Sequence, residues 1–215
     1  IKTNEDGSFE LNMKYFKFHR GLRMIYSKFI NLFKKPPRNP EGEITQFYMD
    51  VASSIQKVVG DIIVKIANNL HKESGLENLC MSGGVALNCA INGRLKLETG
   101  FKKIWVQPAS GDAGSSIGAA LAFHHLDQNK PRKIYENDAM QSGYLGPKFT
   151  DTSIEKYLID KNLEFKKYNF DDLFPYIASE LSKGKIIGWF QGQMEFGPRS
   201  LGNRSILGDP RDPNM

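Results

Sequence analysis

Two short units of one design, strand then glycine turn then helix, follow each other in mid-chain and restrict the fold more than any other feature. Residues 79–81 are predicted as a buried strand, Gly83-Gly84 as a tight turn, and 85–97 as a helix closed by Gly100. Residues 103–106 are a second predicted strand, followed by Pro108, Gly111-Asp112 and a helix over 113–126. The repeat is an α/β pattern with glycines at the carboxyl ends of strands, where open α/β sheets bind ligands.

The flanks follow from periodicity. Phe9, Leu11, Met13 and Tyr15 alternate, which predicts a strand over 9–18. A helix is expected over 21–33, stopped by Pro36-Pro37, with a loop over 36–42. Val51, Ile55, Val58, Ile62, Ile66 and Leu70 recur at helical spacing, so a long helix should run from about Thr45 to Lys72, with Gly75 as its cap. Residues 129–146, rich in Gly, Pro and polar side chains, read as a linker. Beyond it the pattern is helix (154–158), strand (164–168), helix (173–181) and strand (185–190).

Composition adds a few bounds. The chain's 215 residues suffice for one large domain, or a medium one plus part of another. Cys80 and Cys89 are too few for a disulfide framework or a four-thiolate metal site. No apolar run approaches the roughly 20 residues of a membrane span. Ile1 opens a polar stretch rather than a signal peptide, so a cytoplasmic protein is expected. The missing initiator Met suggests an excerpt from a longer polypeptide.

The net charge of +5 is concentrated at one end: residues 1–38 hold nine Lys/Arg against three Asp/Glu, and the rest is near neutral. Phe16, Phe18, Tyr26, Phe29 and Phe33 interleave there with Lys14, Lys17, Arg20, Arg23, Lys34 and Lys35. This fits a nucleic-acid or phosphorylated-substrate surface, or an amphipathic segment whose aromatics pack while its bases stay solvated. No nucleic-acid motif accompanies the charge, which favours the second.

Three motifs carry the chemistry. In Ser82-Gly83-Gly84-Val85-Ala86-Leu87-Asn88 the glycines permit positive φ and close approach of a ligand to the backbone. The helix start presents unpaired N–H groups, and Asn88 adds an amide. A tight turn with no ligand would look the same. In Ser110-Gly111-Asp112-Ala113-Gly114, Asp112 stands where a carboxylate would cap a helix and also project into a cleft. The small residues Gly114, Ser115, Ser116, Gly118, Ala119 and Ala120 behind it suit close approach of a nucleotide or of another backbone. Residues 188–205 combine Arg199 and Arg204 with hydroxyls and turn glycines, a set suited to phosphate or carboxylate. A surface turn with Glu195 paired to Arg199 is the alternative.

With these residues in view, the chain resembles the nodulation- and antibiotic-type O-carbamoyltransferases. The resemblance rests on 79–88, on Ile104-Trp105-Val106-Gln107-Pro108, on Gly111-Asp112-Ala113-Gly114 and on the arginine stretch, and runs from about Phe16 onward. It implies an α/β fold: the second half of an actin-like (ASKHA) nucleotide-binding domain over 1–140, a linker over 141–150 containing Tyr144-Leu145-Gly146-Pro147, and the start of a YrdC-like domain over 151–215. It also implies formation of carbamoyladenylate from carbamoyl phosphate and ATP, then transfer to a hydroxyl of a sugar-containing acceptor. Ser82, Gly83, Gly84, Val85, Asn88 and Gly111 would line the nucleotide site. Asp112 would be catalytic as a ligand to a divalent metal, iron in most of the superfamily. Arg199 and Arg204 would grip phosphate groups, with Ser205 as a hydroxyl donor. No nucleic-acid or membrane partner is expected.

The sequence departs from the family at Gln193, where arginine is usual, and at Ser200, where alanine is usual. The superfamily's His-x-x-x-His metal ligands are absent: His19, His71, His124 and His125 lack that spacing. The half of the fold that carries them is expected to precede Ile1. Two rival readings are a tRNA threonylcarbamoyl transferase, which shares the glycine turn but not the arginine loop, and a nucleotide-binding module without turnover.

Overall fold

The computed structural model describes residues 1–136, 140, 142–213 and 215. It divides into two compact units, Ile1–Met81 with Ala86–Val106, and Ser82–Val85 with Gln107–Met215.

The first unit is built around one long helix. β1 (Lys2–Thr3) and β2 (Phe9–Glu10) form a short antiparallel hairpin. α1 (Ser27–Phe33) and α2 (Gln46–Ser74) follow, then β3 (Asn78–Met81), α3 (Cys89–Glu98) and β4 (Lys103–Val106). α2 ends as expected: Gly75 takes φ 65° and its N–H bonds back to the His71 carbonyl at 2.9 Å. β3 and β4 pair in parallel with Leu79 opposite Ile104 and Met81 opposite Val106. Their inner faces join Val64 and Ala67 of α2, Ile91 and Leu95 of α3, and Phe101 in one core. Ile91 and Leu95 are fully buried, each contributing about 1.5–3 kcal/mol by transfer from water. At the rim of that core Arg94 bridges Asp61 at 2.9 Å and Glu98 at 2.7 Å. Gly60 admits it, since a Cβ there would lie 2.5 Å from the guanidinium.

The second unit holds α4 (Asp112–Ala122), a wider π turn (Phe123–Asp127), α5 (Asp151–Asp160), α6 (Phe170–Ser182), β5 (Ile187–Phe190) and β6 (Arg204–Leu207). α5 and α6 start on side-chain caps, with Thr150 accepting from Ser153 N–H and Asn169 from Asp172 N–H. β5 and β6 pair antiparallel, Trp189 opposite Ser205 and Phe190 opposite Arg204.

Several expectations are corrected. The predicted strand over 9–18 shrinks to two residues, because beyond Glu10 the chain turns and keeps only an isolated bridge between Phe16 and Ile25. The helix expected from residue 21 begins at Ser27, since Gly21 sits at φ 98° and breaks the turn. The helix expected from Val85 is split into a 3-10 turn (Gly84–Leu87) and α3, because Asn88 takes extended angles and caps α3 through Ile91 N–H. Residues 164–168 fall outside any helix or strand and join no ladder among the described residues. β6 had no counterpart in the sequence reading. Of the expected linker 129–146, residues 137–139 and 141 lie outside the described residues.

The basic segment folds on its own aromatics. Phe16, Phe29 and Phe33 contact in series at 5.9 and 5.1 Å, and Lys14, Lys17 and Lys35 lie over Tyr15, Tyr26 and Phe47. Rings already packed on one another fit a solvated amphipathic segment better than a stacking platform for bases.

Candidate functional site: three loops of the second unit

The glycine turn and the aspartate turn are tied by main chain. Gly83, at φ 96°, donates its N–H to the Ser110 carbonyl at 2.8 Å. A Cβ added to Gly83, Gly84 or Gly111 would meet nothing within 4 Å, so these backbones border open space. Ser82 and Val85 are also exposed. Gly114 differs: a Cβ there would lie 1.9 Å from the Ala109 carbonyl oxygen, so glycine lets the first turn of α4 close against the loop before it.

Asp112 is not the cap of α4. Gly111 holds that position, and Asp112 is the first helical residue, exposed and with no side-chain partner among the described residues. A carboxylate there is favoured by the helix dipole. Of the two glycines in the small-residue surface behind it, Gly114 permits a close approach, whereas Gly118 faces open space.

Asn88 lies in the first unit and is already committed. Its Oδ1 accepts from Ile91 N–H at 3.2 Å and from Gln56 Nε2 at 3.1 Å, and its Nδ2 donates to Gln56 Oε1 at 2.9 Å. The amide expected to meet a nucleotide is therefore capped and paired.

The arginine loop is organised by a carboxylate. Glu195 is 1% exposed, and its Oε1 accepts backbone N–H bonds from Leu201 at 2.7 Å, Asn203 at 2.8 Å and Arg204 at 3.2 Å. The Glu195–Arg199 pair of the alternative reading does not form among the described contacts: the carboxylate binds main chain instead. Burial alone would push this carboxyl up, but the N–H groups of Glu195 itself, Asn203, Leu201 and Arg204 outweigh it and hold it at about 2. Arg204 is half-buried and donates to the Gly197 carbonyl at 3.1 Å, while Arg199 is exposed. Ser200 and Ser205 hydroxyls meet at 2.9 Å, and Ser200 also donates to the Arg204 carbonyl. Gln193, in place of the usual arginine, is exposed, and its carbonyl accepts from the Asn203 amide at 2.8 Å.

This loop meets the aspartate turn. Gly197, at φ 128°, lies so close that a Cβ would sit 3.0 Å from the Pro108 carbonyl oxygen and 3.2 Å from Ala109 Cα. The 143–147 segment runs alongside: Phe196 N–H donates to the Gly143 carbonyl at 2.7 Å, Gly146 N–H to Met194 at 2.8 Å, and the Tyr144 hydroxyl to Leu201 at 2.9 Å. Gly83-Gly84, Gly111-Asp112 and the loop of Arg199, Arg204 and Ser205 are thus linked by successive contacts inside one compact unit.

The residues do not fit a metal site by themselves. Among the described residues no three or more His, Cys, Asp or Glu side chains cluster, and a transition metal normally takes about three or more protein ligands. His71 packs edge-on against Phe101, and His125 binds the Lys130 carbonyl.

Sequence reasoning missed Glu195 as organiser and Gln56 as the partner of Asn88. A glutamate just ahead of a loop with two positive-φ glycines is a signal for the first. Nothing local points to Gln56, which stands 32 residues from Asn88.

No helix among the described residues is long and apolar enough to cross a membrane. The family model for the carbamoyltransferase N-terminus matches residues 1–121, and that for the carbamoyltransferase C-terminus matches 178–215. The chain is 50% identical, over its whole length, to 35% of an uncharacterized protein of Synechocystis. It is 39% identical to nodulation protein NolNO of Sinorhizobium fredii, over 78% of this chain and 24% of that one. The same identity and share of the chain hold for nodulation protein NolO of Bradyrhizobium diazoefficiens, 30% of which is covered. The chain spans about a third or less of the length of these relatives. With matches to both ends of one enzyme type, the first covering more than half of its residues, this chain belongs to the carbamoyltransferase family.

Proposed function

We propose that the chain serves an ATP-using O-carbamoyltransferase, contributing to both of its half-reactions. In the first, carbamoyl phosphate and ATP yield carbamoyladenylate. The atoms balance when one water enters and pyrophosphate and phosphate leave. In the second, an acceptor hydroxyl, on a sugar-containing molecule, attacks the carbamoyl carbon. The carbon–oxygen bond to adenylate breaks, AMP departs and the hydroxyl proton is lost.

The observation that carries this reading is the contact of Gly197 with Pro108 and Ala109, which joins the arginine loop to the segment leading into Gly111-Asp112. Arg199 and Arg204 hold phosphate oxygens, aided by the Ser205 hydroxyl and by main-chain N–H groups. Ser82, Gly83, Gly84, Val85 and Gly111 border the nucleotide. In the first unit, Asn88 becomes available to a nucleotide once released from Gln56. Asp112 adds one carboxylate to the transfer site. A lone carboxylate is no metal site, and no step here runs through one.

In this reading residues 1–140 belong to an actin-like transfer domain and 151–215 to a YrdC-like activating domain, joined over 141–150. The enzyme acts in the cytoplasm on small molecules.

The two half-reactions test it. In the full-length enzyme, Asp112→Ala is expected to abolish transfer from supplied carbamoyladenylate while carbamoyl-phosphate-dependent pyrophosphate release persists. Arg204→Ala should do the reverse, cutting the first half-reaction by about ten- to a hundredfold, the worth of one charge-assisted hydrogen bond. Equal loss of both steps in either variant, or full activity in both, would sink the assignment.

A further inference from the structure

One group of the arginine loop has no assigned part in the chemistry and is the most deeply placed of its charges. Glu195 is 1% exposed and ionised, yet among the described residues it pairs with no arginine or lysine side chain. Its Oε1 gathers three backbone N–H groups spread over residues 201–204, while its Oε2 is buried with no hydrogen-bond partner among the described residues. A carboxylate left half satisfied is costly as a purely structural element, because an apolar side chain of similar shape would serve packing better.

The three N–H groups belong to the residues that set where Arg204 begins. Gly202, at φ 102°, bends the chain between Leu201 and Asn203 so that both N–H groups point at one oxygen. The Arg204 N–H joins them at 3.2 Å, and its guanidinium then turns back to the Gly197 carbonyl. The Arg204 carbonyl is taken by Ser200 and its strand residue pairs with Phe190. With both ends of the residue anchored, the side chain starts from a fixed backbone. An arginine held in this way loses little further freedom when it meets phosphate, which is how preorganisation raises affinity.

We propose that Glu195 is a positioning residue for phosphate-bearing substrate: its buried charge gathers the 201–204 backbone so that Arg204 is set before substrate arrives. The inference rests on the reading of this loop as the phosphate grip. It does not require Glu195 to touch substrate.

Glutamine is the informative replacement. With its oxygen at Oε1 it still accepts the three N–H groups, but without the negative charge, and its NH2 falls at the buried Oε2 position. Turned over, it faces three donors with a fourth. Either way the loop slackens while volume and packing are kept.

The test uses the full-length enzyme and measures carbamoyl-phosphate-dependent pyrophosphate release, with thermal midpoints taken for every variant and assays run well below them. Glu195→Gln is expected to raise the KM for carbamoyl phosphate about tenfold, from weakening charge-assisted bonds to ordinary ones, with kcat nearly unchanged. Transfer from supplied carbamoyladenylate should stay at the parental rate. Gly202→Ala perturbs the same N–H array from the chain side, into space where a Cβ meets nothing, and should raise KM likewise. It keeps the question answerable if Glu195→Gln does not fold. A KM unchanged in either folded variant, alongside a raised KM in Arg204→Ala, overturns the positioning role and leaves the phosphate grip standing. Should Arg204→Ala itself leave KM unchanged, the loop is no phosphate grip and the inference falls with it.

Discussion

Asn88 and Gln56 hold each other through both amide atoms, Asn88 Nδ2 to Gln56 Oε1 at 2.9 Å and Gln56 Nε2 to Asn88 Oδ1 at 3.1 Å. The same Asn88 oxygen caps α3 through Ile91 N–H. A side chain already making three hydrogen bonds cannot meet a nucleotide edge bidentately without giving one up, and the pair with Gln56, an exposed side chain, is the cheapest to break.

Replacing each partner separates these roles. Asn88→Ala should destabilise the protein by about 1 kcal/mol through loss of the cap, and weaken ATP binding by about tenfold. Gln56→Ala leaves the cap intact and frees the Asn88 amide, so ATP affinity should be unchanged or slightly higher. Isothermal titration of both variants decides it; weaker binding in Gln56→Ala would mean that glutamine, not asparagine, faces the ligand.

The two glycines of α4 should respond in opposite directions to the same change. Gly114→Ala places a Cβ 1.9 Å from the Ala109 carbonyl and is expected to cost about 1–3 kcal/mol as an overpacked site. Gly118→Ala adds a methyl in open space and should stabilise the helix by up to about 1 kcal/mol. Denaturant unfolding of the pair measures both, and a neutral Gly114→Ala would show that the loop before α4 yields easily.

Acid should loosen the arginine loop over a defined range. Glu195 falls from an ordinary 4.5 to about 2 in the folded chain. A carboxylate with a depressed folded value adds stability that is complete above 4.5 and is lost as the pH falls to about 2. Glu180, held at about 2 by Lys183 and Lys185, and Asp209, held at about 2 by Arg211, lose theirs across a similar range. The stability difference between parent and Glu195→Gln isolates the first group. It should be largest at neutral pH and shrink toward pH 2, as followed by circular dichroism. A difference that stays constant to pH 2 would show that the charge of Glu195 is not what the loop uses.

What the sequence determined alone is local. The strand, glycine, helix repeat around residues 79–122 and the Gly75 stop of α2 rest on signals within a few residues. The family, too, was legible in the motifs around Gly83, Asp112 and Arg199. Only the tertiary structure decided what depends on distant partners. Residues 164–168 look like a strand and find no partner among the described residues, whereas 204–207 become one because β5 offers its edge. Glu195 beside arginines reads as half of an ion pair, but the fold of 197–204 turns three N–H groups onto it first. Asn88 reads as a free amide until α2 brings Gln56 beside it. Periodicity, caps and turns act over one to four residues and are written in the chain. Which hydrogen-bond donors surround a buried group is set by segments that meet only after folding, and desolvation then makes that choice of partners binding.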